Sequence, residues 1–418
     1  MIAFGIILLA LLGVPLFAII GLSALLSFYN AEIDSAAIFV ELYRVASNPT
    51  LIAIPLFTFS GFILAHGKTP ERLTRISQSI LRGAPGGIPL AILMACAFFT
   101  ALTGASGVTI IALGGLLYPL LLKEKYGENF SLGLITSSGS LGLLFPPSLP
   151  LILYGLVAQV SVDKLFIAGI FPGLLMILIV SAFAISQSPQ YRQSINWPEA
   201  KSALIEAIWE LPLPFIVLGG IYGGFFTVTE AASVTVVYVI LIQAFIYKDL
   251  DMMQDLPGLM KESMILVGTI LIILGTAMGF TNYLVDEQIP MTILEGMKQY
   301  IHDPLTFLMV LNVFLLIVGC TMDIFSAIIV VVPLIIPIAQ SFDINMVHLG
   351  IIFLTNLEIG YSTPPVGINL FIASTRFNKP VIKLYKAVLP FLGLRLIGLI
   401  LITYIPGISL FLIEWISD

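Results

Sequence analysis

Residues 139–148, Gly-Ser-Leu-Gly-Leu-Leu-Phe-Pro-Pro-Ser, and residues 358–367, Glu-Ile-Gly-Tyr-Ser-Thr-Pro-Pro-Val-Gly, decide how the chain is read. Both stretches interrupt long apolar runs in which a helix would otherwise continue. Two consecutive prolines remove two amide donors, and their rings collide with carbonyls one turn back. The neighbouring glycines loosen the backbone further. In hydrocarbon, carbonyls freed in this way persist only where protein, water or an ion satisfies them. One such break reads equally well as a plain kink. Two breaks in corresponding halves of a membrane chain point to a transporter with its binding site at the breaks.

Composition supplies the membrane. Of 418 residues, 59% are hydrophobic and 10% are charged, too little charge to cover a water-soluble fold. Apolar runs at 2–28, 166–186, 211–227, 229–247, 264–284, 305–320 and 388–412 are long enough, or nearly so, to cross about 30 Å of hydrocarbon. The first run has no basic leader and no small-residue cleavage site, so it reads as a retained span. Cys96 and Cys320 lie in apolar surroundings and indicate neither a disulfide nor a metal cluster. A glycine-rich nucleotide loop is missing, no nucleic-acid partner is expected, and no clustered intramembrane His, Asp or Cys set suggests an enzyme. The scattered His66, His302 and His348 read as interfacial residues.

The chain repeats itself at one constant offset. Pro364 and Pro365 lie 218 residues after Pro146 and Pro147. The same offset joins Gly360 to Gly142, Pro337 to Pro119, Pro390 to Pro172, Thr321 to Thr103, and Gly279-Phe280 to Gly61-Phe62. Charge then orients the halves. Segment 66–83 carries Lys68, Arg72, Arg75 and Arg82 against Glu71, and 375–387 carries Arg376, Lys379, Lys383 and Lys386, so both are expected in the cytoplasm. Segment 284–301, the equivalent of the first, is acidic and is expected on the other side. The predicted fold is an all-α polytopic protein of two inverted-topology repeats, each with a re-entrant hairpin and a discontinuous helix.

The first repeat covers 1–186, with a hairpin at about 87–122 and a broken helix at about 131–160. Residues 187–210 form a cytoplasmic linker. The second repeat covers 211–418, with a hairpin at about 305–340 and a broken helix at about 348–374. Segment 68–83 spaces Leu73, Ile76, Ile80 and Leu81 as an amphipathic helix on the cytoplasmic interface.

Thr103, Ser106 and Thr109 at the first hairpin tip supply hydroxyl oxygens, and the unwound Gly142–Phe145 backbone supplies carbonyls. Neutral oxygens without a carboxylate suit Na⁺; small-residue helix packing is the alternative. The second half repeats the pattern with Thr321 and with Gly360 to Thr363, and adds Asp323 and Glu358. Asp323 reads either as a cation or proton site or as a helix N-cap. Glu358 reads as facing an aqueous vestibule, and Arg395 as snorkelling to the interface. Helices restarting after the breaks aim their N-termini at one region, where Ser148, Asn356, Ser362 and Asn369 add donors for an anionic solute.

The stretches GSLGLLFPPSLPLILYG (139–155), KLFIAGIFPGLL (164–175), GGFFTVTEAASV (223–234) and GYSTPPVGINLF (360–371) resemble, in that order, the large membrane subunit of tripartite ATP-independent periplasmic (TRAP) transporters. The resemblance covers nearly the whole length. It implies an elevator-type fold in the bacterial inner membrane, embedded in lipid, and Na⁺-coupled uptake of a carboxylate or sulfonate. It also implies a small four-helix membrane subunit and a periplasmic substrate-binding protein as partners. Carried over by position, the Na⁺ ligands fall on Thr103, Ser106, Gly142, Phe145 and Pro146, and on Thr321, Gly360 and Thr363. Solute contacts fall on Ser148, Asn356, Ser362, Pro147, Pro365 and Asn369, with Asp323 and Glu358 as gating or ion residues. The chain departs from the family pattern at Val228, where proline is usual, and at Gly107-Val108, where serine or alanine is common. A stand-alone Na⁺/dicarboxylate symporter of similar fold is the alternative reading.

Overall fold

The computed structural model describes residues 9, 12–32, 34, 36, 40, 43–44, 46–81, 86–188 and 197–417. The expected start of the first span at residue 2, Arg82 of the basic segment and linker residues 189–196 lie outside them. Every regular element among the described residues is helical. Eight helices are long and apolar enough to cross a membrane, and a ninth crossing is made if the pair bent by 45° between Glu128 and Ala158 is one span.

In the first half, α1 (Leu16–Asn30) and α2 (Ala53–His66) lead to α3 (Thr69–Leu81), the predicted amphipathic helix. Its buried face matches the expected one in part. Leu73 and Ile76 are buried, but Ile80 is exposed and Arg72 is buried. Two carboxylates draw Arg72 inward: Glu210 at 2.7 Å and Asp249, with its guanidinium 3.6 Å from the centre of the Tyr247 ring. Burial works against the charge on Arg72, but Glu210 and Asp249 outweigh it and hold its pKa above the usual value. Burial raises the Glu210 carboxyl, against the hydrogen bond from Thr69 and the charge of Arg72.

The first hairpin is α4 (Gly87–Thr103) and α5 (Ser106–Lys123). Gly104, at φ 67°, closes α4 in the left-handed region that glycine enters without penalty. The first broken helix is α6 (Glu128–Ser138), a 3₁₀ turn at Leu141–Leu144, and α7 (Leu149–Ala158). Helix α8 (Val162–Ser186) closes the half. Helices α9 (Trp197–Glu206), α10 (Leu213–Tyr222) and α11 (Val228–Ile240) follow, the last opened by a reciprocal Thr227/Glu230 capping box. The second half continues through α12 (Leu256–Asp286), α13 (Ile289–Lys298) and a hairpin of α14 (Pro304–Thr321) and α15 (Ile324–Ser341). Its broken helix is α16 (Met346–Gly360) and α17 (Ile368–Phe377), followed by α18 (Val381–Tyr404) and α19 (Gly407–Ser417).

The 218-residue offset holds element by element. Shifting the ends of α5 by 218 gives the ends of α15, and α4, α6, α7 and α8 land on α14, α16, α17 and α18 to within four residues. Contacts are reciprocal too: α7 packs on α15 as α17 packs on α5, and α6 packs on α18 as α16 packs on α8. Each half therefore completes the other's core. Tyr154, in the second half of α7, donates to Met346 O at the start of α16 (2.9 Å), while Lys379, just after α17, pairs with Glu128 at the start of α6 (2.8 Å). The two broken helices thus run in opposite directions.

Candidate functional site

Both hairpin tips and both proline breaks line one cavity of about 460 Å³. Gly104, Ala105, Ser106 and Gly107 come from the first tip and Asp323, Ile324 and Phe325 from the second. Leu143 comes from the first break, and Tyr361, Ile368 and Ile372 from the second. Leu266, Ile270 and Ile273 of α12 form the far wall.

The tips and breaks come together because small residues let backbones touch. A Cβ added at Gly360 would lie 2.5 Å from the carbonyl carbon of Gly319, and one at Gly142 would lie 2.2 Å from the Ala97 oxygen. A Cβ at Gly61 would lie 2.6 Å from Thr103 Cα, so the first tip rests directly on α2.

Among the expected ion ligands, Thr103 is fully buried and its Oγ1 has no hydrogen-bond partner. Ser106 Oγ donates across the repeats to Asn369 Oδ1 at 2.8 Å, which leaves the hydroxyl lone pairs available. Thr321 Oγ1 donates to Ile317 O and Val318 O (both 3.0 Å), and Thr363 Oγ1 to Ile359 O (2.9 Å), leaving their lone pairs in the same state. Phe145 and Pro146 lie elsewhere, lining a separate apolar cavity of about 230 Å³ with Met94, Phe98, Pro214 and Leu218. The carbonyls at the first break are less bare than the prolines alone suggest. Gly142 O accepts from Phe145 N–H (3.0 Å) in the 3₁₀ turn, and Leu143 O accepts from Ser148 Oγ (2.5 Å). Both Pro-Pro peptides are cis.

Among the expected solute contacts, Ser362 is fully buried with an unpartnered Oγ, and Asn369 is fully buried with an unpartnered Nδ2. Ser148 and Pro147 are buried, while Pro365 is exposed and its carbonyl accepts from Tyr385 Oη (2.5 Å). Asn356 does not line the cavity; its amide donates to Asn312 Oδ1 (2.7 Å) and Ile352 O (2.9 Å). Asp323 is an N-cap. Its Oδ1 accepts from the amides of Phe325 and Ser326 (both 3.0 Å), and its Oδ2 accepts from Ser326 Oγ. Ala105, its equivalent, offers α5 no side-chain cap.

Three expectations are corrected. Glu358 does not face a vestibule and Arg395 does not snorkel: both are fully buried and form an ion pair. Each charge finds its opposite inside the protein, so neither side chain has to reach the aqueous face. His348 is not interfacial but buried, with Nδ1 2.6 Å from Ser409 Oγ and Nε2 3.3 Å from Thr403 O. Among the described residues, no group of three or more His, Cys, Asp or Glu is placed to hold a metal ion.

Residues 3–408 match the profile of the DctM component of tripartite ATP-independent periplasmic transporters. The chain is 36% identical over 403 residues to the C4-dicarboxylate TRAP transporter large permease DctM of Pseudomonas aeruginosa, covering 95% of this chain and 94% of that one. It is 35% identical to the isethionate TRAP transporter permease DctMQ of Oleidesulfovibrio alaskensis, covering 96% of this chain and 64% of that one. The ectoine TRAP transporter large permease TeaC of Halomonas elongata is 30% identical, with 97% and 96% covered. In fold, the chain resembles the crystal structure of the Alcanivorax borkumensis YdaH transporter, with a TM-score of 0.58, 12% identity, and 92% and 88% of the two chains covered. A helical multi-pass architecture and a whole-chain match lead to one assignment: the chain belongs to the DctM family of TRAP transporter large permeases.

Proposed function

We propose that this permease uses a Na⁺ gradient to drive uptake of a small organic acid through an elevator-type movement of its hairpins and broken helices. The observation that carries this reading is a pair of buried, unpartnered hydroxyls, Thr103 Oγ1 at the first tip and Ser362 Oγ at the second break, each next in sequence to a residue that lines the shared cavity. A buried hydroxyl without a partner is costly, and a cation ligated by its oxygen engages the acceptor lone pairs and offsets part of that cost. The hydroxyl oxygens at the tips are neutral and the Asp323 carboxylate is engaged as an N-cap, which suits a hard monovalent ion that must leave as readily as it enters. Antiparallel broken helices and reciprocal packing support two inverted repeats, which give pseudo-equivalent gates on the two membrane faces.

The anionic end of the solute belongs at the N-termini of α5 and α17. Neither has a side-chain cap, whereas Asp323 closes the start of α15 to a second negative charge. Relatives named for a dicarboxylate, a sulfonate and ectoine indicate a small, strongly polar solute. The family points to the bacterial inner membrane and to two partners, a periplasmic binding protein and a small membrane subunit. The DctMQ relative, of which this chain covers 64%, leaves room for such a subunit in a fused chain.

Reconstituted uptake tests the reading. Vesicles containing the permease, its small subunit and the binding protein are to be offered labelled succinate, isethionate or ectoine under a Na⁺ or a K⁺ gradient. Accumulation that needs both Na⁺ and the binding protein is expected for one of these classes. Equal uptake under K⁺ would remove the coupling ion, and uptake without the binding protein would favour a stand-alone symporter.

A further inference from the structure

Arg395 of α18 and Glu358 of α16 are both fully buried. Burying two charges is seldom the cheapest way to stabilise a fold; apolar side chains of similar volume serve as well or better. The first repeat does without the charges, since the equivalents of Arg395 and Glu358 are Ile177 and Ser140. The charges are therefore not demanded by the helix arrangement itself.

What the pair does is join the two breaks. Arg395 Nη1 donates to Ser137 O (3.1 Å) at the end of α6, where a cation suits the exposed helix carbonyls. Its Nη2 donates to Ser140 Oγ (3.2 Å) and to Glu358 Oε1, and Ser140 Oγ lies 3.2 Å from Glu358 O, which accepts from it. Ser140 and Glu358 are 218 residues apart, so equivalent points of the two repeats touch. Gly142 and Gly360, which make the close backbone contacts at each tip, lie two residues further on.

We propose that Glu358 and Arg395 are positioning residues that clasp the two broken helices at their crossing, so that both breaks hold one geometry and act together. Their effect on ion use rests on the Na⁺-coupled reading above; the clasp itself does not.

The informative variant carries the first repeat's residues, Glu358→Ser with Arg395→Ile. It removes both charges together and leaves no unpaired one. Arg395→Lys is the second arm, since an ammonium keeps the charge but not the fork that reaches Ser137, Ser140 and Glu358 at once. Hydrogen–deuterium exchange of residues 139–145 is measured on purified protein, alongside the unfolding midpoint and the Na⁺ dependence of uptake. At least one of the two variants is expected to fold with a near-normal midpoint and to exchange those amides roughly tenfold faster or more. It should also need more Na⁺ for half-maximal uptake. Unchanged exchange at 139–145, or acceleration spread evenly over the whole chain, would overturn the clasp, as would failure of both variants to fold. Local loosening in a protein whose wild-type uptake ignores Na⁺ would sink the ion-coupled reading and leave the clasp standing.

Discussion

At the scale of single residues, the buried hydroxyls of Thr103 and Ser362 have no hydrogen-bond partner. Thr103→Val keeps the volume and deletes the unpartnered Oγ1. If that oxygen were merely an orphan, its loss would be neutral or stabilising. As a cation ligand, its loss should raise the Na⁺ concentration for half-maximal uptake about tenfold while the unfolding midpoint without Na⁺ holds or rises. Asp323 is predicted to act through its cap. Asp323→Asn, which can still accept from the amides of Phe325 and Ser326, should retain transport; Asp323→Ala should cost about 1 kcal/mol in stability. Loss of uptake in Asp323→Asn with normal stability would restore an essential charge there. Some of this was legible in sequence, because Thr103, Ser106, Thr321 and Asp323 sit at the tips of interrupted apolar runs. The Glu358–Arg395 pair was not read as one, although a signal existed. Against the 218-residue offset, the second half has the acid Glu358 where the first has Ser140 and the base Arg395 where the first has Ile177, and opposite charges gained in one half only are a pairing signal.

Among elements, the hairpins and broken helices follow from proline, glycine and periodicity, and their bounds match the repeat register. What sequence pattern missed is part of the buried face of α3, at Arg72 and Ile80. Amphipathic spacing ranks side chains by polarity, so it sent Arg72 to water and Ile80 inward. The partners that reverse this, Glu210 and Asp249, lie more than 130 residues away. Arg72→Met leaves the Glu210 carboxylate buried without its cation and should lower stability by roughly 2–4 kcal/mol, measured by thermal unfolding in detergent. A change within error would mean that α3 is not anchored through this network. The glycine contacts give a sharper case. Gly360→Ala places a methyl carbon against the Gly319 backbone, which has no side chain to swing away. It should abolish uptake and destabilise by about 1–3 kcal/mol. Gly258→Ala, in open space on α12, should do neither.

For the molecule as a whole, the two halves are not separate bodies, because α7 and α17 each pack on the other half's hairpin. Opposed broken helices that cross at Ser140 and Glu358 place both breaks around one cavity, which linear sequence could suggest but not position. Topology follows from the basic segments. Lys379 and Lys383 both pair with Glu128 (2.8 and 2.6 Å), which puts the turns before α6 and α18 on one face. Cysteines at positions 379 and 383 should resist an impermeant reagent added outside intact cells; rapid labelling would reverse the orientation. The central claim is that the unpartnered hydroxyls beside the cavity, Thr103 Oγ1 above all, bind the driving cation. It is tested most directly by the unfolding midpoint of the purified permease as Na⁺ replaces K⁺ at constant ionic strength. Because a ligand that binds only the folded form stabilises it, Na⁺ should raise the midpoint in a saturable way in the wild type and much less in Thr103→Val. Identical midpoints in the two salts, across the full Na⁺ range, would contradict the account.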